Sequence, residues 1–279
     1  MKNVNKAIIP VAGLGTRMLP ASKAVPKEML PLLDKPIIQY IVEEAILGGI
    51  KEIIFVTRKG KEAIEKYFDD NFESDILKKT SKKITFSSIR QKKPLGLRHA
   101  ILCAKKFIEE EEPFAIFLPD EFLFSEMGTK DFAHMMENHH FSKNGQILVE
   151  KVEMAEISNY RVINIGNKKL RTLIPEKIID LIEKPSIKDA PSFYRIVGRY
   201  ILPYEIFKVL NEIKPGKNNE IQLTDSLKKA VELKKIHLDA VLSDSKIFDC
   251  GSPKGFLGAN TILASQNKDL KQYLKEILN

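Results

Sequence analysis

Between Ala12 and Lys27 the chain reads "AGLGTRMLPASKAVPK", which crowds two glycines, an arginine and two lysines into one short stretch. Gly13 and Gly15 remove side chains, so backbone N–H groups can come close to an anion. Arg17 adds a planar fork suited to phosphate, and Lys23 and Lys27 add mobile point charges. The chemistry that suits this set is the grip on a polyphosphate; the plainer alternative is a tight turn followed by a solvated basic loop. It is not a P-loop, because no Gly-Lys-Ser/Thr follows at the required spacing. It is not a dinucleotide fingerprint either, because Met18 stands where the third glycine belongs. Pro20, Pro26 and Pro31 oppose a regular helix and predict an extended, wrapping segment.

Carboxylates recur at matching places. Asp120 closes the run "FAIFLPD", and Asp249 ends "IFD" before a glycine. Each suits a turn or a cap. Together, with no His or Cys at metal-ligand spacing, they suit a hard cation, and Mg²⁺ held beside substrate phosphates is the natural choice. Glu183 and Lys184 are neighbours in "LIEKPS" and point to opposite faces of a regular strand; Pro185 allows an irregular backbone that turns both into one cleft. Gln91 carries donors and an acceptor that suit the polar edge of a ligand, or else it solvates a surface. His99, His134, His139 and His140 have no metal spacing and are expected to be structural or exposed. No Ser/His/Asp or Cys/His arrangement calls for a protein nucleophile.

These residues must be positioned by alternating strands and helices. The runs "AIIPV", "EIIFVT", "ITFSSI", "FAIFLP" and "QILVEKV" read as strands, separated by helical patterns that include Pro36–Gly48 and His99–Ile108. That rhythm predicts an α/β fold with a largely parallel sheet covered on both faces. The glycine segment then follows the first strand at the carboxyl edge of the sheet, where ligands of open α/β folds bind. Beyond about residue 155 the pattern changes to shorter strands around Val162, Leu170 and Ile178, then a longer one through "FYRIVGRYIL". Pro203 is expected to start a helix, Thr224 or Asp225 to cap another, and the tail from Ser252 and Pro253 to form two more. A soft boundary divides the chain into parts 1–155 and 156–279 that pack as one integrated unit.

Composition narrows the class. The longest apolar runs fall far short of the roughly 20 residues that span a bilayer, and Met1 to Lys6 is polar, so neither a membrane span nor a secretory signal is expected. Cys103 and Cys250 sit far apart, which opposes a disulfide framework and predicts Cys103 as a small core residue and Cys250 as a reduced thiol in a cytoplasmic protein. The net charge of +8 suits an anionic partner. With no Trp and no aromatic-basic motif of the RNA-binding kind, that partner is expected to be a phosphorylated small molecule rather than nucleic acid.

The stretch "GLGTRMLPASKAVPKEMLPLLDKPIIQY" resembles the signature of the sugar-1-phosphate nucleotidyltransferases, and its "PKEMLP" resembles the uridylyltransferase branch. The match runs along nearly the whole chain through "RQKKPLGLRHAIL", "LPDE", "IEKP", "DAPSFYRIVGRYIL", "PGKNNEIQLTDS" and "DCGSPKGF". The resemblance implies a Rossmann-like, mostly parallel mixed sheet flanked by helices, whose 1–155 part binds nucleotide and whose smaller 156–279 part binds sugar phosphate and adds C-terminal helices. It implies UTP and glucose 1-phosphate as substrates, UDP-glucose and pyrophosphate as products, Mg²⁺ on Asp120 and Asp249, and a homo-oligomer, dimer or tetramer. Arg17, Lys27 and Lys184 are implied to be catalytic. Ala12, Gly13, Gly15, Thr16, Glu28, Gln91 and Gly96 are implied to bind nucleotide, and Glu183, Arg161 and Gly198 to bind sugar. Two residues depart from the family pattern: Arg98 and Arg161 each replace a glycine. Arg98 would either add a phosphate contact or obstruct the base pocket, and Arg161 would narrow the sugar site and strain a left-handed backbone. The alternatives are a relative that uses dTTP or another sugar phosphate, and a noncatalytic nucleotide-sugar binder on the same fold.

Overall fold

Ala7, Ile9 and Val11 bury themselves on one side of the first strand and Ile8 on the other, so this strand is covered on both faces. A computed structural model describes residues 2–278 except 70, 71, 73, 81, 82, 94, 127, 129 and 213–221. The "PGKNNEI" portion of the C-terminal signature therefore lies outside the described residues, as does Pro94.

In chain order the first half comprises β1 (Lys6–Pro10), β2 (Pro31–Leu32), β3 (Lys35–Pro36), α1 (Ile37–Leu47), β4 (Glu52–Thr57), α2 (Glu62–Tyr67), α3 (Asp75–Thr80), β5 (Thr85–Arg90), α4 (Gly96–Ala104), β6 (Phe114–Phe117), β7 (Glu121–Phe124), α5 (Asp131–Ser142) and β8 (Gly145–Lys151). The second half comprises β9 (Arg161–Asn164), β10 (Glu176–Lys177), β11 (Asp180–Glu183), β12 (Tyr194–Leu202), α6 (Ile206–Glu212), α7 (Leu223–Glu232), β13 (Leu238–Leu242), β14 (Lys246–Asp249), α8 (Pro253–Gln266) and α9 (Lys268–Leu278).

The main sheet runs β10-β13-β8-β12-β6-β1-β4-β5, with β9 bridging β12 and β11. Strands β6, β1, β4 and β5 are parallel, as are β8 and β13. Between those blocks β12 runs antiparallel to both β6 and β8. Helices α4, α6 and α7 cover one face and α1, α5 and α8 the other. Each fully buried Ile on α1, such as Ile38 or Ile41, contributes about 1.5–3 kcal/mol of transfer free energy. At the end of β6 the chain turns through Asp120 into β7, which pairs with β14 in a separate two-stranded ribbon.

Several local expectations are corrected. Helix α4 begins at Gly96, three residues before His99, because Gly96 takes a left-handed turn (φ 84) that launches the helix early. Leu170 is a buried loop residue rather than a strand. Thr224 and Asp225 lie inside the first turn of α7, behind an N-cap at Gln222. At the tail, the Ser252 side chain accepts from Gly255 N and Pro253 opens α8.

Candidate active site

After β1 the chain is pinned by Val11 N–H donating to the Val56 carbonyl at 2.9 Å. Gly15 then takes φ 70, a conformation that side chains disfavour, and a Cβ there would meet Ser22 at 3.3 Å. The segment is not extended. It coils into three single turns, Thr16–Met18, Ala21–Lys23 and Lys27–Met29, held by Ser22 Oγ donating to the Gly15 carbonyl at 2.7 Å. The prolines bar a continuous helix but tolerate single turns, and Pro26 itself precedes the third. The coil folds Lys27 back beneath the glycines, whereas Thr16 and Lys23 stay exposed.

Lys27 Nζ lies 2.5 Å from Asp120 Oδ2. Arg17 meets Asp249 through Nη1 at 2.7 Å and Nη2 at 3.3 Å, and its Nη2 is 3.7 Å from Asp120 Oδ2. The β7–β14 ribbon delivers Asp249, since Asp249 pairs with Glu121 and Cys250 N–H donates to the Asp120 carbonyl at 2.7 Å. Gly251 closes the cluster: a Cβ there would sit 2.7 Å from Arg17 Nη2, 2.9 Å from Asp120 Oδ2 and 3.0 Å from Asp249 Oδ1. Burial alone would push the Asp120 carboxyl up, but the charge of Lys27, its hydrogen bond and Arg17 outweigh it and hold the pKa below the usual value. For Lys27, burial opposes the ammonium, yet Asp120 and Glu28 overcome it and raise its pKa.

Beside the glycines a cleft of about 420 Å³ is lined by Ala12, Gln91, Arg58, Lys59, Arg90 and Lys92. Gln91 is buried, and its amide N–H₂ donates to the Gly96 carbonyl at 3.1 Å and faces His99 Nδ1 at 2.9 Å. Burial, then Arg98, lowers the His99 pKa, so the neutral ring accepts at Nδ1. His99 thus orients Gln91, a role its spacing did not reveal. Glu28 turns inward instead of lining the cleft: it is 1% exposed, one oxygen holds Lys61 Nζ at 2.5 Å, and the other is buried without a partner. Arg98 does not line the cleft beside Gln91, and its guanidinium donates to the Leu210 carbonyl on α6.

On the other side of the cluster, Arg161 on β9 faces Glu183 on β11 in register and donates to Tyr200 Oη at 3.3 Å. Its backbone is ordinary strand, so the anticipated left-handed strain at Arg161 is absent. That strain falls on Lys184, whose φ is 45. The Lys184 N–H donates to the Tyr160 carbonyl at 3.1 Å and its side chain is exposed. The Glu183 Oε2 atom is buried with no hydrogen-bond partner. The charges of Tyr200, Glu121, Glu183 and Asp120 raise the Arg161 pKa against burial, which ties this side to the aspartate cluster. Gly198 does not open to a ligand: a Cβ there would meet Leu118 at 2.4 Å and Glu121 at 2.6 Å, so its glycine serves packing. Sequence reasoning missed Glu121, which pairs with the buried Arg195 at 2.7 Å and accepts from Gly198 N–H.

The structure therefore gathers Arg17, Lys27, Asp120, Asp249 and Gly251 into one cluster, with Ala12, Gly13, Gln91 and Gly96 to one side and Arg161 and Glu183 to the other. Among the described residues no hydrogen bond or ion pair joins the Lys184 ammonium to the cluster. Among the described residues no helix is long and apolar enough to cross a membrane.

The nucleotidyl transferase family matches residues 6–266. A UTP--glucose-1-phosphate uridylyltransferase from Haemophilus ducreyi is 39% identical, over 98% of this chain and 97% of its own. A UTP-bound UGPase from Acinetobacter baumannii superposes with a TM-score of 0.86 at 35% identity, covering 99% of this chain and 98% of that one. A UDP-glucose pyrophosphorylase complexed with UDP-glucose superposes with a TM-score of 0.83 at 38% identity, covering 95% of this chain and all of that one.

Proposed function

The chain belongs to the nucleotidyl transferase family, and on that premise we propose that it makes UDP-glucose and pyrophosphate from UTP and glucose 1-phosphate. The observation that carries this reading is the cluster of Arg17, Lys27, Asp120 and Asp249 around Gly251, directly after the glycine turn. A phosphate oxygen of glucose 1-phosphate attacks the α-phosphorus of UTP; a P–O bond forms there as the bond to the β-phosphate oxygen breaks, and pyrophosphate leaves with the electron pair. No proton needs to move, so the protein's work is positioning and charge neutralisation.

Ala12, Gly13 and Gly96 present backbone groups and Gln91 its amide to the uracil. Arg17 and Lys27 exchange their aspartate partners for the triphosphate and stabilise the departing pyrophosphate. Glu183 accepts sugar hydroxyls through its unpartnered oxygen, beside Arg161. Lys184 orients the attacking phosphate.

Asp120 and Asp249 fit a small hard cation: each turns a carboxylate oxygen toward the same point beside Gly251, at 2.9 and 3.0 Å from where a Cβ would stand, and Arg17 would have to release both for the ion. Among the described residues no group of three His, Cys, Asp or Glu forms a cage, so phosphate and water would supply the remaining ligands. When bound there, Mg²⁺ would neutralise phosphate charge and polarise the α-phosphorus.

The test is pyrophosphate release from UTP plus glucose 1-phosphate with and without Mg²⁺, alongside dTTP and other hexose 1-phosphates. UTP with glucose 1-phosphate should be turned over fastest and only with the metal. A preference for dTTP, or no release from any pair, would overturn the reading.

A further inference from the structure

The end of β6 is held from within the core. Arg199 on β12 is 0% exposed and stands in register with Phe117, the last residue of β6. Its Nε and Nη2 donate to the two carboxylate oxygens of Glu44 on α1 at 2.9 and 2.7 Å. The other bonds go to backbone: Nη1 donates to the Leu118 and Gly198 carbonyls, each at 3.2 Å, and Nη2 to the Glu121 carbonyl at 2.8 Å. Leu118 and Glu121 are the two ends of the turn that carries Asp120. Arg199 thus grips the backbone on both sides of Asp120 and leaves its carboxylate to Lys27.

Strand β12 bends to meet this turn. Its register against β8 slips between Ile196 and Tyr200, and such bulges re-aim the groups within them. Inside the slip, Gly198 N–H donates to the Glu121 carboxylate, and the Gly198 carbonyl accepts from Leu118 N–H at 2.8 Å. Arg195 holds the other Glu121 oxygen at 2.7 Å. The Asp120 carbonyl in turn accepts from Cys250 N–H at 2.7 Å, which sets Asp249 alongside.

Stability alone does not call for this arrangement. A buried arginine–glutamate pair costs the desolvation of two charges, and apolar side chains of similar volume are often as stable. Apolar side chains cannot, however, fix three carbonyl oxygens relative to a helix. Building on the uridylyltransferase reading of the cluster, we propose that Arg199, aimed by Glu44, is a positioning residue. It fixes the Asp120 turn and, through the Cys250 bond, Asp249, in the geometry that the reaction needs.

The test uses Arg199→Lys, which keeps a buried cation beside Glu44 but cannot span both ends of the turn, and the milder Glu44→Gln, which keeps the side-chain shape. Labelling cysteine with ¹⁵N in the full chain marks Cys103, on α4, and Cys250, bonded to the Asp120 carbonyl, and no other residue. In Arg199→Lys the Cys250 amide signal should shift as that bond lengthens, while the Cys103 signal stays in place. With the turn displaced, kcat should fall about 10²-fold and the Mg²⁺ concentration giving half-maximal rate should rise about 10-fold, with KM for UTP within about threefold. Glu44→Gln should show the same pattern at smaller size, and it decides the matter if the lysine variant does not fold. A folded variant whose Cys250 signal is unmoved, whose two cysteine signals both move, or whose kcat and Mg²⁺ dependence stay native would make Arg199 a structural residue only. The cysteine signals need no substrate, so a native protein that releases no pyrophosphate would defeat the uridylyltransferase reading, whereas those outcomes defeat the clamp.

Discussion

Arg17 and Asp249 stand 232 positions apart in the chain, yet the guanidinium grips the carboxylate with two N–H groups at 2.7 and 3.3 Å. The contact joins the glycine turn to the end of β14 and sets Gly251 against both partners.

Gly251→Ala should separate folding from activity. The new methyl carbon would lie 2.7 Å from Arg17 Nη2, 2.9 Å from Asp120 Oδ2 and 3.0 Å from Asp249 Oδ1. All three are ends of side chains that can swing away, so the melting temperature should barely move. The phosphate and metal positions would not survive that swing, and kcat/KM should fall about 10²-fold, as for other misplacements near 1 Å. Full activity in this variant would remove the cluster from the reaction.

Lys27→Met carries a pH signature. The Asp120 pKa is depressed in the folded state, so its stabilisation is complete above the unfolded carboxylate value near ~3.9 and disappears as pH falls through the lower folded value. Without Lys27 the burial of Asp120 is no longer outweighed. The variant should be less stable than the native protein at pH ~7, and the gap should close below pH ~4. Turnover should fall about 10²- to 10³-fold. Thermal melts across that range check the first part, and a constant gap at every pH would contradict it.

Much of this architecture was legible because strands buried on both faces write continuous apolar runs, and Glu52–Thr57 appears within its observed bounds. The glycine turn, Asp120 and Asp249 were legible as chemistry-bearing residues. Their meeting was legible only through the family resemblance, since it depends on the β7–β14 ribbon, whose pairing is long-range and carries no local signal. The antiparallel placement of β12 was hidden for the same reason. The glycines were misleading as a class: Gly251 shapes the cluster, whereas Gly198 makes room for Leu118. A charged residue in a glycine's usual place was equally ambiguous, because side-chain direction decides its effect.

Lys61→Met should be strongly destabilising although Lys61 makes no contact with Arg17, Asp120 or Asp249 in the ion-pair network. It leaves Glu28, 1% exposed and already carrying an unpartnered oxygen, without its counter-ion. Breaking such a pair from one side costs about 3–5 kcal/mol. The double change Glu28→Gln/Lys61→Met removes both charges and should recover most of that loss. Denaturant unfolding measures each, and a single variant as stable as the double would show that Glu28 finds another partner.

Arg98→Ala should leave the KM for UTP within about twofold of the native value, because the side chain spends its hydrogen bond on the Leu210 carbonyl. The effect should appear instead as a modest loss of stability of about 1 kcal/mol, the net worth of one such bond. Initial rates at varied UTP decide this, and a KM raised several-fold would return Arg98 to the nucleotide pocket.

Lys184→Gly should make the protein more stable and less active. At φ 45 the lysine occupies a region that costs a residue with a Cβ about 1–2 kcal/mol and glycine little. Pro185 sharpens the conflict by disfavouring compact backbone in the residue before it. If the strain is tolerated because it aims the ammonium at the attacking phosphate, removal should raise the melting temperature while kcat/KM for glucose 1-phosphate falls about 10²-fold. Lys184→Ala separates the two effects, since it loses the ammonium but keeps the Cβ and hence the strain. It should be as inactive as the glycine variant with no gain in stability. A glycine variant that is stabilised and fully active would mean that the bend serves the chain's path after β11 and has no part in catalysis.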